Sequence, residues 1–252
     1  MKVTDYSKIA HIYDKNTLRH RIAKDSIIEK MYKADEFEFT VLDLSCGTGI
    51  YLDKQIAEYP LPEYKIKWIG LDKSESMINQ AKQKQINSDL IIADVINMPL
   101  SNNSVNYISN RFAFHHYEDK EKAVREIYRI LKPNGAINLV NMNPEYMKHF
   151  WVYKYFPSAI ELDKERFCET KYLYDLLENN RFKVEVNIKV KMKKFKYPHI
   201  LEDAKNRDMS QLQIITEEEY NAGISKMEED SKHNEYIIGD FALMEIYGEK
   251  IE

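Results

Sequence analysis

The sequence has little cysteine and no long apolar run, and both absences narrow the class of protein. Its 252 residues include two cysteines, Cys46 and Cys168. They are too few and too far apart for a disulfide framework or a zinc site, so we expect no metal. No apolar run approaches the roughly 18 residues of a membrane span, and the first residues lack an apolar signal core. These features predict a globular cytoplasmic protein of one domain, or of two small ones.

Basic residues also form no long uninterrupted run in the chain. Lysine and arginine total 37 against 41 aspartate and glutamate, which gives a net charge of -4. No segment has the uninterrupted positive charge of a protein that follows a phosphate backbone, so we expect no nucleic-acid partner. Hydrophobic residues make up 44% of the chain and charged residues 31%, a balance that favours a packed core.

Glycine is scarce, yet two of the seven glycines lie close together, at Gly47 and Gly49. They follow a predicted strand and precede a predicted helix, where a glycine turn brings backbone close to a ligand. The pair alone also fits an ordinary strand-to-helix turn. A dinucleotide fingerprint needs a third glycine three residues further on. Position 52 is leucine, which weakens a nicotinamide-cofactor interpretation.

Hydrophobic periodicity predicts strands and helices that alternate five times, as in a parallel sheet covered on both faces. A helical region with a turn near 14–16 is predicted first, over residues 6–33. The predicted strands are 37–44, 64–71, 89–93, 105–109, 136–141, 182–192 and 236–247. The later predicted helices are 50–59, 74–85, 120–131 and 171–179, with part of 195–232 also helical.

Three acidic residues follow or end three consecutive predicted strands. They are Asp43, Asp72 and Asp94. Because the carboxyl ends of neighbouring parallel strands meet in one crevice, we expect the three carboxylates to converge. Asp43 would repel a pyrophosphate and attract an ammonium group. Asp72 could accept hydrogen bonds from ribose hydroxyls, and Asp94 could accept one from an exocyclic amine. Each of them taken alone could instead be a helix N-cap.

At these residues the chain resembles class I S-adenosylmethionine-dependent methyltransferases. Val41–Gly49 is similar to the first motif of that family, Gly70–Met77 to its ribose-binding segment and Ala93–Val95 to its adenine-binding segment. Two further segments, Asn110–Tyr117 and Glu126–Gly135, are similar to the branch that includes quinone-biosynthesis C-methyltransferases. Tyr6–Asp14 resembles the N-terminal helix that closes over the cofactor there. Two positions depart from the pattern. Ser45 stands where the family usually has glycine or alanine, and Asn106 replaces a common aspartate that we interpret as structural.

The resemblance implies the fold and the cofactor. It predicts an α/β, Rossmann-like, mostly parallel seven-stranded sheet with helices on both faces, an antiparallel last strand and a small C-terminal helical lid. Residues 1–252 would be one methyltransferase domain, with a cofactor-binding core at about 34–141 and substrate-selecting insertions at about 142–177 and 195–235. The implied contacts to S-adenosyl-L-methionine, or its product S-adenosyl-L-homocysteine, are Tyr6, Tyr13, Asp43, Ser45, Cys46, Gly47, Gly49, Asp72, Lys73, Met77, Asp94, Val95 and Asn110.

His115 and His116 are the candidate general bases, because they follow the fourth strand and imidazole titrates near neutral pH. At least one of them could instead cap a helix or bond backbone. Aromatic residues at 146–156 could form a lid over a hydrophobic acceptor or pack in the core. Lysines at 189–196 could be the solvated face of an edge strand or could bind an acidic substrate.

The sequence therefore predicts methyl transfer to a small-molecule acceptor of aromatic or hydrophobic character, by an enzyme of the EC 2.1.1 type. Two alternatives stay open. One is a non-catalytic S-adenosylmethionine-binding module, and the other is an RNA or protein methyltransferase. The acceptor, the atom methylated and the oligomeric state are not specified by the sequence.

Overall fold

The computed structural model describes most of the chain. The described residues are 10–11, 13–15, 19–20, 22–33, 38–59, 65–207 and 209–251. The predicted cofactor contact Tyr6 lies outside them.

Seven strands form one sheet in the order β3-β2-β1-β4-β5-β7-β6. The strands are β1 (Phe39–Leu44), β2 (Ile66–Asp72), β3 (Asp89–Ile92), β4 (Val105–Arg111), β5 (Leu131–Met142), β6 (Phe182–Lys196) and β7 (Tyr236–Lys250). The pairs β3-β2, β2-β1, β1-β4 and β4-β5 are parallel, and the last strands are antiparallel. All seven strands expected from periodicity are present, and the predicted fold class is confirmed.

Nine α-helices accompany these strands in the described part of the chain. They are α1 (Ser26–Lys33), α2 (Ile50–Glu58), α3 (Glu75–Gln83), α4 (Lys120–Ile130), α5 (Trp151–Tyr155), α6 (Ser158–Arg166), α7 (Thr170–Asn179), α8 (Tyr197–Asn206) and α9 (Glu217–His233). Their apolar stripes explain their positions. In α4, Ala123, Val124 and Ile127 recur at helical spacing and are fully buried.

The chain divides into two compact units. Among the described residues, one unit comprises those within 6–140, 171–186 and 245–251, and the other comprises those within 141–170 and 187–244. In the first unit, side chains from β1, β2, α2 and α3 form a hydrophobic cluster that includes Val41, Leu52 and Ile78. This unit contains all the candidate site residues that the structure describes, and we call it the site unit.

The second unit has its own apolar core, rich in aromatic side chains. Phe150, Trp151, Tyr153, Tyr155 and Phe156 are all buried in it. For these five residues of the aromatic stretch the structure shows core packing, which was one of the two interpretations left open. That this unit also covers an acceptor stays a prediction.

The N-terminal helical prediction was too long. Within 22–33, α1 begins only at Ser26, because Asp25 starts the helix. Its carboxylate accepts from the backbone N–H of Ile27 at 2.9 Å. Asp25 is buried, and its carboxylate also accepts from the phenols of Tyr51 (2.7 Å) and Tyr107 (2.9 Å).

Two further differences concern β4 and β5. β5 begins at Leu131, five residues earlier than expected, and its pairing with β4 shifts register between Val105 and Tyr107. Asn106 lies at that shift. Its side-chain oxygen accepts from the Thr40 N–H and from the Lys132 ammonium, both at 2.9 Å. Asn106 thus has the structural role that we expected.

No helix in the described ranges is long and apolar enough to cross a bilayer.

Candidate cofactor-binding and catalytic site

The turn after β1 has three residues in left-handed backbone conformations. The φ angles are 63° at Ser45, 55° at Gly47 and 76° at Gly49. Glycine adopts such angles without strain, whereas Ser45 is strained by about 1–3 kcal/mol. A Cβ added at Gly47 would meet no described atom within 4 Å. The turn therefore leaves open space directly beside its backbone.

Asp72, the last residue of β2, holds this turn in place. One carboxylate oxygen accepts from the Gly47 N–H at 2.9 Å, and the other accepts from the Ser74 N–H at 2.8 Å. The N–H groups of Ser45 and Cys46 both donate to the Leu71 carbonyl, at 2.7 and 3.0 Å. Burial raises the pKa of Asp72, while its backbone hydrogen bonds act in the opposite direction.

Asp43 is a buried carboxylate at the centre of the sheet. It pairs in register with Gly70 on β2 and Ser109 on β4, and its residue is only 3% exposed. Its Oδ2 has no hydrogen-bond partner among the described residues. Burial raises the pKa of Asp43 to about 8, a shift that nearby Arg111 opposes and Asp72 increases. A buried acceptor without a donor favours a ligand that brings one.

A second buried acceptor lies on the neighbouring strand β4. The Asn110 side-chain N–H donates to the Leu44 carbonyl at 2.9 Å and to the Tyr117 hydroxyl at 2.8 Å. Asn110 Oδ1 is buried without a partner in the described structure. The Tyr117 hydroxyl also lies 2.7 Å from Ser45 Oγ. Tyr117 therefore connects the loop after β4 to the turn after β1, a role that sequence reasoning missed.

The remaining predicted adenosine contacts lie at the ends of β2 and β3. Met77 and Val95 are buried, whereas Lys73 and Asp94 are exposed. Asp94 lies two residues beyond the end of β3, and its carboxylate accepts from the Ile96 N–H at 3.2 Å. Ile92 presents an exposed apolar side chain just before it. Cys46 is buried in the turn, and burial raises the pKa of its thiol.

The two candidate bases lie on a short 3-10 helix, Phe114–His116, in the loop after β4. Their ring centroids are 3.8 Å apart. His115 is buried and His116 is half-buried. Phe112, just before this helix, combines a φ of 54° with a side chain that is 40% exposed. Strain of this kind in a bulky residue concentrates at functional sites.

Tyr13 lies in a 3-10 helix, Tyr13–Lys15, and the guanidinium of Arg19 stacks 3.5 Å from its ring centroid. The adjacent Asp14 contacts the glycine turn. Its carboxylate accepts from Thr48 Oγ1 at 2.5 Å and from the Lys84 ammonium at 2.5 Å. Lys84 also donates to the Thr48 carbonyl at 2.7 Å.

These residues provide a donor-acceptor set that fits S-adenosylmethionine. The unpartnered oxygens of Asp43 and Asn110 match a ligand rich in N–H and O–H donors, and the space beside Gly47 admits it. Apolar Met77 and Val95 suit a flat base. No group of three potential metal ligands occurs in the described ranges.

Comparison with known proteins agrees with this fit. Residues 42–139 match the family model described as methyltransferase domain. The demethylmenaquinone methyltransferase of Staphylococcus epidermidis is 30% identical over 146 residues, which cover 56% of this chain and 59% of that protein. The chain thus spans about three fifths of the length of this relative.

Solved structures share the fold. A protein of Anabaena variabilis, described as a methyltransferase from an antibiotic biosynthesis pathway, has a TM-score of 0.68 at 19% identity and covers 91% of this chain and 99% of its own. A phosphoethanolamine N-methyltransferase of Haemonchus contortus, solved with S-adenosylhomocysteine, has a TM-score of 0.54 at 16% identity and covers 90% of this chain and 52% of its own.

In fold and in these matches the chain is similar to class I S-adenosylmethionine-dependent methyltransferases, and residues 42–139 are the part that matches the methyltransferase domain model.

Proposed function

We propose that the protein transfers a methyl group from S-adenosylmethionine to a small-molecule acceptor and releases S-adenosylhomocysteine. The observation that carries this proposal is the pair of buried, unpartnered acceptors, Asp43 Oδ2 and Asn110 Oδ1, beside the open glycine turn. Burying such atoms without donors is costly. A cationic ligand rich in donors removes that cost.

Each predicted residue has a distinct binding role in this proposal. Asp43 neutralises the ammonium group, Asp72 accepts from the ribose hydroxyls, and Asp94 accepts from the adenine amine. Met77 and Val95 contact the base. The backbone of the turn lies along the methionine part and the ribose, through Ser45, Cys46, Gly47 and Gly49. Tyr13 and Lys73 border the site. Asn110 Oδ1 accepts a hydrogen bond from the amino group. When bound, the sulfonium supplies an electrophilic methyl group and a neutral thioether leaving group.

We further propose that the acceptor is a quinol or phenol. The demethylmenaquinone methyltransferase relative supports a ring acceptor, and the exposed Phe112 supplies an apolar contact at the loop after β4. A neutral phenol or quinol must lose a proton as its carbon or oxygen bonds to the methyl group. His116 would take that proton, because it is more accessible than His115.

The first experiment is calorimetric titration of the purified chain with S-adenosylhomocysteine, with NAD as a parallel ligand. We expect micromolar binding of the homocysteine compound and none of NAD. Asp72→Asn should weaken that binding about 100-fold, since it removes a charged acceptor from two hydroxyl bonds. Binding of NAD alone, or unchanged affinity in the variant, would overturn the cofactor placement.

The acceptor is tested by release of S-adenosylhomocysteine from S-adenosylmethionine with a panel of quinols, phenols and amines. Turnover with a quinol or phenol supports the proposed class, and turnover with amines alone contradicts it. Tight cofactor binding without turnover on any compound would favour a non-catalytic binding module.

A further inference from the structure

The outer strand β6 exposes apolar side chains that the proposed methyl transfer does not use. In the second unit, Val190 is 50% exposed and Met192 is 64% exposed, and on β7 Ile238 is 55% exposed. A soluble surface seldom groups large apolar side chains on one strand pair. β6 is also the edge of the sheet, where such a segment would invite association.

The exposed side chains share one face of the β6-β7 pair. Successive side chains of a strand alternate between faces. Lys194 lies over the Tyr236 ring, with the ammonium 4.3 Å from the centroid, so these two residues share a face. By alternation Val190 and Met192 lie on the face of Lys194, and Ile238 lies on that of Tyr236. Phe195 lies on the opposite face, where it contacts Phe150 in the core of the unit.

The same segment carries a concentration of positive charge. Residues 189–196 include five lysines and no acidic residue, in a chain whose net charge is -4. The lysines are Lys189, Lys191, Lys193, Lys194 and Lys196. Electrostatic attraction extends about 10 Å at 0.1 M salt. Lysines on both faces of a single strand therefore act together on an anionic surface.

The charge also disfavours edge-to-edge pairing of β6 with the β6 of a second copy of this chain. Two β6 edges would bring ten lysines together, and lysine on an edge strand opposes such pairing. A nucleic acid would match the charge and leave the apolar side chains unused. A surface that is both anionic and apolar uses both features, as it does with amphipathic membrane-binding segments.

We propose that this face, formed by Val190, Met192, Lys194, Tyr236 and Ile238 with the flanking lysines of β6, binds anionic lipid membranes peripherally. The apolar side chains enter the headgroup region, and the lysine ammonium groups contact lipid phosphates. This binding is independent of the cofactor site and of the identity of the acceptor.

Vesicle co-sedimentation tests the proposal with the full chain. Sucrose-loaded vesicles of phosphatidylcholine alone are compared with vesicles containing 30% phosphatidylglycerol, at about 50 and 500 mM NaCl. We expect binding to the anionic vesicles, a strong decrease at high salt, and little binding to phosphatidylcholine. Absence of binding to the anionic vesicles would overturn the proposal.

Two variants and a matched control separate the contributions. Replacing Lys191, Lys194 and Lys196 by glutamine should weaken vesicle affinity at least about tenfold, since each lysine contributes roughly fivefold. The control variant replaces three other exposed lysines by glutamine, and these are Lys205, Lys226 and Lys232 of α8 and α9. It changes the net charge by the same amount and should leave vesicle binding intact. Equal loss in the two triple variants would contradict a specific face.

The apolar contribution is tested by the double variant Val190→Ser with Met192→Ser. Both side chains are at least half exposed, so we expect an unchanged melting temperature and severalfold weaker vesicle binding. Full vesicle binding by this variant would contradict the apolar contact with the membrane. Tight binding of a 20-nucleotide RNA in preference to vesicles would replace the membrane with a polyanion as the partner.

Discussion

Asp43, which we propose binds the ammonium group of the cofactor, has a buried carboxyl that affects stability. Its carboxyl is buried with an unpartnered oxygen, and burial raises its pKa from 3.8 to about 8. The folded protein thus keeps a proton that the unfolded chain has lost between pH 4 and 8. The contribution of Asp43 to the free energy of unfolding is therefore largest at low pH, and it decreases as pH rises from about 4 to 8.

We predict that Asp43→Asn stabilises the folded chain at pH 8.5, because it removes a buried charge. The gain over the wild type should be about 4 kcal/mol larger at pH 8.5 than at pH 5, because ionisation of the unfolded carboxyl continues to favour unfolding until pH reaches the folded pKa. Thermal denaturation at the two pH values measures it. A gain for Asp43→Asn that is equal at both pH values would contradict the raised pKa.

The adjacent histidines should differ in kinetic effect. His116→Gln is predicted to lower kcat about 100-fold or more with a phenolic or quinolic acceptor, because it removes the proton acceptor. The Kd for S-adenosylhomocysteine should not change. His115→Gln is the matched control, since the buried His115 should affect mainly the melting temperature. A larger loss of kcat in His115→Gln would exchange the two roles.

At the level of elements, the glycine turn is held from three directions. Asp72 at the end of β2 binds its backbone, and Tyr117 reaches Ser45 from the loop after β4. Asp14 and Lys84 join the N-terminal 3-10 helix, the turn and the end of α3. We interpret these bonds as fixing the turn before the ligand arrives, which lowers the entropy lost on binding.

This interpretation predicts that Asp14 and Lys84 act as one pair. Asp14→Asn and Lys84→Met should each weaken S-adenosylhomocysteine binding about five- to tenfold, and the double variant should bind no worse than either. Titration calorimetry on the four proteins of the cycle measures the coupling. Lys82→Met, two residues earlier in the chain and exposed, is the control. Additive losses would show that the two residues act separately.

The sequence predicted these elements well because their signals are local. Alternation and helical periodicity depend on neighbouring residues, and the strand-end position of Asp43 and Asp72 followed from the strand boundaries. The polar networks were missed because their partners lie far apart in sequence. Asp25 bonds Tyr107 across 82 residues, and Ser45 bonds Tyr117 across 72. A single sequence contains no periodic signal for such pairs.

For the whole molecule, chain connectivity predicts cooperative unfolding. β6 and β7 each contribute residues to both units, so neither unit is an independent stretch of chain. We predict one calorimetric transition. S-adenosylhomocysteine at 100 times its Kd should stabilise the chain by about 2.7 kcal/mol, which raises Tm by roughly 5–10 °C for this length. Two transitions, of which ligand shifts only one, would contradict the prediction.

The backbone strain at Ser45 has an evolutionary consequence. Glycine at this position would relieve the left-handed conformation, but it would also remove the hydroxyl that lies 2.7 Å from the Tyr117 phenol. A substitution of Ser45 alone leaves the Tyr117 hydroxyl without this contact, and a substitution of Tyr117 alone leaves the strained serine without it. We therefore expect positions 45 and 117 to covary among relatives, with serine accompanying tyrosine and glycine accompanying residues that need no partner. Serine at position 45 together with tyrosine at position 117 would then identify a subgroup of related chains. The glycine motif alone does not distinguish this subgroup from other relatives.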